Sequence, residues 1–325
     1  MDQQANFLQP VEKEIEAFSE LYAEALKGHS SDFQPMIDYI SESGGKKIRP
    51  ALLLLSAKTL GFTDQKTIDY AVIMELLHTA TLIHDDVIDD TKVRRNRSSL
   101  NGAYDNKAAV LLGDYVLSIA IFKAVLLGEL PILGIISKLA LNLTEGELIQ
   151  WSNSNCSIIE ESCYFDIIRK KTAALIASCT EIGALIAGAD TETVEKFHLM
   201  GEYIGMCFQI KDDIFDYYDP GEIGKPTQGN DIREGKITLP LIYALNNAPA
   251  DQTALAIEII NNKDFSTGNI ERLIHFAKQN KGIEYAESVM QETKEKAIAL
   301  LVGIANSEAK TALLELIDYI TARNK

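Results

Sequence analysis

A chain of 325 residues with 46% hydrophobic and 24% charged residues carries ample apolar material for a large folded core, which excludes a disordered protein. Its formal charge of -16 argues against a nucleic-acid binder, since phosphate backbones recruit broad basic surfaces. An anionic ligand must therefore be held by a few locally placed cations.

Apolar residues recur at helical spacing along almost the whole chain, and the short β-branched runs of sheets are scarce. This predicts an all-α protein, with helices roughly over 6–27, 31–43, 47–59, 66–91, 105–127, 131–152, 158–188, 191–218 and 237–247, and shorter segments beyond. Gly44, Gly45, Gly61, Gly128, Pro131, Gly188, Pro220, Gly221 and Gly224 fall between the periodic segments, where they stop or start helices. No Pro/Ser/Gly-rich connector divides the chain, so 1–325 reads as one domain. The acidic N-terminal stretch lacks the pattern of a signal peptide, and Cys156, Cys163, Cys179 and Cys207 form no C-x-x-C pair; both point to a reduced, cytoplasmic protein. The apolar run from Val110 to Leu127 is interrupted by Asp114 and Lys123, which reads as too polar for a membrane span.

Chemistry concentrates at two places. Near the end of the fourth predicted helix, LLHTATLIHDDVIDD sets Asp85, Asp86 and Asp89 at i, i+1 and i+4. Side chains four apart on a helix are neighbours, so Asp85 and Asp89 can share one cation. The helix C-terminus disfavours anions, which makes a counter-charge all the more useful there. QIKDDIFDYY repeats the spacing at Asp212, Asp213 and Asp216, again late in an apolar helix. One such motif alone is usually a solvated acidic face, but two matched copies are hard to dismiss. If the helices face one another, six carboxylates require divalent cations and an anionic substrate between them. An all-oxygen ligand set without clustered histidine or thiolate favours Mg²⁺ over zinc. Basic residues gather beside these motifs, as Lys46, Lys47 and Arg49 in GGKKIRP and as Lys92, Arg94, Arg95 and Arg97 in KVRRNR. Arginine forks and lysine point charges hold diphosphates, and two anion sites imply two substrates.

From Gly44 to about Pro240 the chain resembles the trans-prenyl diphosphate synthases, of the medium- to long-chain type. GGKKIRP is similar to the family's GGKRxRP, DDVID with its following arginine pair to the first aspartate-rich motif, KDDIFDY to the second, and GKPTQGNDIREGKITLP to the loop behind it. The resemblance implies a helical bundle around a central cavity, a homodimer and Mg²⁺ dependence. It assigns Lys46, Arg49, His78 and Arg95 to isopentenyl diphosphate, and Arg94, Lys171, Thr172, Gln209 and Lys225 to the allylic substrate. Asp85, Asp89 and Asp212 would lead metal binding. Two departures, Lys47 for the usual arginine and Asn96 for the usual glycine, remove no ligand. His84 reads as a core or supporting residue, and Tyr217 and Tyr218 as packing residues. The segment 219–236 is a candidate lid.

The implied reaction ionises the allylic diphosphate with metal assistance, lets the isopentenyl double bond attack the cation, and leaves the released diphosphate to take the final proton. Short-chain members carry an aromatic residue four or five positions before the first aspartate, where this chain has Thr81 and Ala80. Products longer than the fifteen-carbon farnesyl chain are therefore expected, with Leu77, Met74 and Phe122 as further candidates to narrow the passage. A long product would bring transient membrane contact at release. The rivals are a class I terpene cyclase, which needs no second diphosphate site, and a non-catalytic subunit of a heteromeric synthase, which need not keep both aspartate triads.

Overall fold

The computed structural model describes residues 6–27, 32–41, 46–94, 97–153, 160–218 and 228–322. A 3-10 turn (Asn6–Val11) leads into α1 (Glu12–Leu26), α2 (Gln34–Ser41), α3 (Ile48–Thr59) and α4 (Gln65–Ile88). A capping box fixes the start of α4: Asp64 Oδ1 accepts from the Thr67 amide at 3.0 Å, and Thr67 Oγ1 accepts from the Asp64 amide at 3.2 Å. Two-residue strands β1 (Val93–Arg94) and β2 (Arg97–Ser98) pair antiparallel, with Val93 opposite Ser98. They are the only strands among the described residues.

Then come α5 (Leu100–Ala103), α6 (Asn106–Leu127), α7 (Leu130–Asn153) and α8 (Glu161–Ile168). A π turn (Arg169–Ala173) joins α8 to α9 (Ala174–Ile186), so the single helix expected over 158–188 changes pitch inside its span. The rest is α10 (Thr191–Phe215), α11 (Asn230–Arg233), α12 (Leu239–Asn247), α13 (Ala250–Asn261), α14 (Thr267–Gln279), α15 (Gly282–Ala299) and α16 (Glu308–Ala322). The all-α expectation holds.

Two units pack around their own cores. One is made of Met1–Ser137, Ser178–His198 and Gly303–Leu316, the other of Lys138–Ala177, Leu199–Val302 and Ile317–Lys325. In the first, α3 buries residues 50–57 without a polar face, and α4 buries Tyr70 to Met74, Leu76, Leu77, Ala80 and Ile83. Helices apolar on all sides belong inside a core, and α4 indeed packs against α1, α3 and α6. Along α6 the buried row Ala109, Leu112, Val116, Ala120 and Ala124 follows the helical period. By length and composition alone α6 is apolar enough to cross a membrane, which corrects the reading that Asp114 and Lys123 make it too polar. One face of it packs along α4, and only 28% of its most apolar stretch is buried.

In the second unit α12 lies against α14 and α15, and Ile210, Ile214, Tyr217, Leu239, Leu241 and Leu273 are buried in one cluster. Gly205 on α10 lets the π turn approach closely: a Cβ there would lie 2.4 Å from Ala173 Cα. Backbone cannot yield as a side-chain tip can, so Gly205→Ala is expected to cost about 1–3 kcal/mol by overpacking. Its better helix propensity offsets at most ~1 kcal/mol of this. The midpoint of urea unfolding measures the loss; an unchanged midpoint would contradict the close approach.

Candidate active site

The first aspartate motif lies at the end of α4. Asp85 and Asp86 are helical and Asp89 follows the last helical residue, yet the Asp89 amide still donates to Asp85 O at 2.8 Å. The four-residue spacing therefore survives, although the helix stops at Ile88 instead of 91. Asp90 adopts a left-handed φ of 48°, and two bonds close the end: Thr91 N to Asp86 O at 2.9 Å and Asp90 N to Val87 O at 3.3 Å. This is the Schellman arrangement with aspartate where glycine is usual, and so the stop carries no glycine signal in the sequence. Asn101 Nδ2 also donates to Asp86 O at 2.9 Å, tying the motif to α5. Asp86 is buried, while Asp85 and Asp89 are half-buried.

The basic residues beside it divide. The Arg97 guanidinium stacks over the Tyr39 ring at 3.8 Å, and Lys92 pairs with exposed Asp90 at 2.7 Å, so both are engaged in local structure. Arg94 ends β1, but its side chain, Arg95 and Asn96 lie outside the described residues. Of GGKKIRP, Gly44 and Gly45 are outside them too. Lys46 is exposed, Lys47 precedes α3 with a left-handed φ of 53° and donates to Ser19 Oγ at 2.6 Å, and Arg49 lies half-buried in the first turn. Burial pushes the Cys179 thiol up to about 12, opposed by the positive charge of Arg49.

On α4, His78 is half-buried and its carbonyl accepts from Thr81 Oγ1 at 2.9 Å. His84 packs against Gly113, where a Cβ would lie 2.3 Å from its Nε2, and sits 3.4 Å from Asp114 Oδ1. That fits the core reading. Ala80, Leu77 and Met74 are buried and Thr81 is half-buried. Phe122 is 64% exposed. It stands two residues from the inward Ala120 and Ala124, on the far side of α6, so the expectation that it closes the passage is not met within the chain.

The second motif is built differently. Asp212 is half-buried, whereas Asp213 and Asp216 are 3% and 2% exposed and accept hydrogen bonds from protein donors. Asp213 Oδ2 accepts from Tyr164 OH at 2.6 Å and Oδ1 from Gln209 Nε2 at 2.7 Å. Gln209 Oε1 in turn accepts from Thr172 Oγ1 at 2.7 Å. Burial, and then the Asp213 charge, hold the Tyr164 phenol well above its ordinary value, so it remains a donor. Asp216 lies just past α10, which stops at Phe215 and not at 218. Its carboxylate accepts from the Asn230 and Asp231 amides, each at 3.0 Å, capping α11. Gly229 beside it has φ 71°, and a Cβ there would lie 2.3 Å from Ile270 Cγ2. Tyr217 is buried as expected, its OH 3.0 Å from Thr238 Oγ1. Lys225 and Asp219, with the rest of 219–227, lie outside the described residues.

Lys171 and Thr172 sit on the π turn. Lys171 pairs with Glu147 on α7 and donates to Gln150 Oε1 at 3.1 Å. Tyr164, Glu147 and the π turn were missed by sequence reasoning. Tyr164 precedes Lys171 by seven residues, two helical turns, a spacing open to inspection but without chemical signal by itself.

Among the described residues no group of three or more His, Cys, Asp and Glu side chains forms a ready metal cage. Mg²⁺ does not need one, because it typically takes one or two carboxylates together with substrate phosphates and waters. The half-buried carboxylates of Asp85, Asp89 and Asp212 fit that use.

A polyprenyl synthetase family model matches residues 30–277, a span that includes both aspartate motifs and both basic segments. The chain belongs to the polyprenyl synthetase family. As a member it is a prenyltransferase of isoprenoid biosynthesis. It is 36% identical over 287 residues to the octaprenyl diphosphate synthase of Haemophilus influenzae, covering 88% of this chain and 87% of that one. The crystal structure of a decaprenyl diphosphate synthase from Rhodobacter capsulatus superposes with a TM-score of 0.91 at 30% identity, covering 98% of both chains. That of a geranylgeranyl pyrophosphate synthase from Bacteroides thetaiotaomicron gives 0.84 at 41% identity, again over 98% of both. This family is all-α, as this member is.

Proposed function

We propose that the chain condenses isopentenyl diphosphate with an allylic prenyl diphosphate, giving an all-trans polyprenyl diphosphate longer than the farnesyl chain, and that 1–325 works as one polyprenyl synthase domain. The observation that carries this reading is the pair of intact aspartate motifs, each at the end of a long helix in a polyprenyl synthetase. Asp85, Asp89 and Asp212 would hold Mg²⁺, with Asp86, Asp213 and Asp216 in support. Bound Mg²⁺ would supply the positive charge that makes the allylic diphosphate a leaving group.

The chain's own residues then bind, orient and shield. Lys171, Thr172, Gln209, Arg94 and Lys225 hold the allylic diphosphate while the C1–O bond breaks. Lys46, Arg49, His78 and Arg95 hold isopentenyl diphosphate so that its double bond meets the allylic cation. The leaving diphosphate takes the proton lost from the new chain, so no side-chain base is required. Positioning and exclusion of water carry the catalysis, and the segment 219–236 serves as the lid.

Chromatography of products from both substrates with Mg²⁺, alongside a reaction lacking isopentenyl diphosphate, tests the reading. Cyclic hydrocarbon from the allylic diphosphate alone would establish a terpene cyclase instead, and an inert purified chain would favour a partner subunit. Replacing Arg49 or Lys46 by alanine is expected to raise KM for isopentenyl diphosphate roughly tenfold or more, because a charge-assisted bond to a phosphate that keeps its charge is lost. If only the allylic KM moved, the two sites would be exchanged.

The protein works as a cytoplasmic homodimer in this proposal. Leu111, Ile121, Phe122, Val125 and Leu126 are exposed on α6, an apolar face suited to burial against a second copy. Sedimentation of the purified chain measures this, and transient membrane contact is confined to product release.

A further inference from the structure

A buried carboxylate is costly unless donors satisfy it. Asp213 is the middle aspartate of the second motif, and it spends an acceptor from each oxygen on the protein interior: one on Tyr164 OH at 2.6 Å, the other on Gln209 Nε2 at 2.7 Å. The line continues from Gln209 Oε1 to Thr172 Oγ1 at 2.7 Å. Direction follows from the chemistry of each group. The carboxylate can only accept, so the Gln209 NH₂ must point at Asp213; its oxygen must then face Thr172, whose hydroxyl donates. The amide of Gln209 cannot be flipped without placing its oxygen against the Asp213 carboxylate, and the Thr172 hydroxyl, able to donate or accept, follows the orientation that Asp213 sets. Tyr164 begins this order. It is buried, its ring meets Phe165 edge-on at 5.4 Å, and it lies on the same helical run as the π turn bearing Lys171 and Thr172.

We propose that Tyr164 is a positioning residue for the allylic diphosphate: by holding the Asp213 carboxylate it fixes the amide of Gln209 and the hydroxyl of Thr172, and with them the π turn that carries Lys171. This rests on the assignment of Lys171, Thr172 and Gln209 to that substrate. Asp213 then acts as the anchor of the substrate-holding line, and Asp212 as the metal-holding member of the motif. A purely packing role for Tyr164 would put its value in the ring, and the ring survives in phenylalanine.

Tyr164→Phe removes the hydroxyl alone. Binding of an unreactive allylic thiolodiphosphate, measured by calorimetry in the presence of Mg²⁺, is expected to weaken about tenfold, the scale of one hydrogen bond to a charged group. The allylic KM should rise in parallel, with KM for isopentenyl diphosphate and the Mg²⁺ concentration for half activity each within twofold of the parent. Unchanged analogue affinity in the folded variant would overturn the proposal, as would an equal rise in both KM values. A larger Mg²⁺ requirement with unchanged analogue affinity would also overturn it, by making Asp213 a metal-holding group. Should Tyr164→Phe not fold, Gln209→Met cuts the line at its centre with little change in volume, and the same selective loss is expected of it; equal affinity there overturns the proposal too. A parent chain that neither binds the analogue nor condenses the substrates would overturn the proposed function along with this one.

Discussion

Replacing Asp85 or Asp212 by alanine is expected to lower kcat by roughly a hundred- to a thousandfold, about 3–4 kcal/mol of transition-state stabilisation. The charge that these carboxylates bring to the diphosphate matters most as the C1–O bond breaks, so the loss falls on turnover more than on binding. Neither substitution should unfold the protein, because both side chains are half-buried at helix ends and do not sit in a core. Asp216→Ala is the contrast, since it removes both carboxylate bonds that cap α11 and should destabilise as well as inactivate. Single-turnover kinetics with saturating Mg²⁺, beside thermal unfolding of each variant, separates these effects. Near-parental turnover of Asp85→Ala or Asp212→Ala would sink the mechanism.

Ala80→Tyr is expected to change what the enzyme makes. Ala80 lies five residues before Asp85 on α4 and is buried, with Leu77 and Met74 buried further back along the same helix. A growing prenyl chain that runs along this face would be stopped by a phenol at position 80, so the first condensation should persist while longer products disappear. The opposing expectation is that of a packing alanine: a ring forced into a filled core costs about 1–3 kcal/mol and leaves product length alone. Product chromatography and unfolding midpoints distinguish the two, and an active, folded variant with the parental length distribution would remove Ala80 from the ruler.

Local chemistry was legible in the sequence and long-range chemistry was not. The i, i+4 spacing of Asp85 and Asp89 is a property of the helix itself, and it persists through the Asp89 amide bond even past the last helical residue. The apolar period likewise gives the burial of Leu77, Met74 and Ala80. What could not be read is the division of labour within the second motif. Asp213 is satisfied by Tyr164, 49 residues away, and Asp216 by amides 14 and 15 residues on. No periodicity marks such pairings. The π turn escaped for a different reason: widening one turn shifts the apolar pattern by a single residue, within the tolerance of any periodic reading. The end of α4 was overrun because Asp90, not a glycine, takes the left-handed position.

The Lys171 ammonium is already neutralised: Glu147 pairs with it and the Gln150 side-chain carbonyl accepts from it at 3.1 Å. An anion arriving at Lys171 therefore performs an exchange, releasing one carboxylate to water as it takes its place. A ligand of single charge gains little from such a trade, for it replaces like with like. A diphosphate brings more charge and several oxygens, and comes out ahead. With Lys171 assigned to the allylic diphosphate as proposed, Glu147 would set a threshold of ionic valence there, favouring a polyanionic headgroup over singly charged anions.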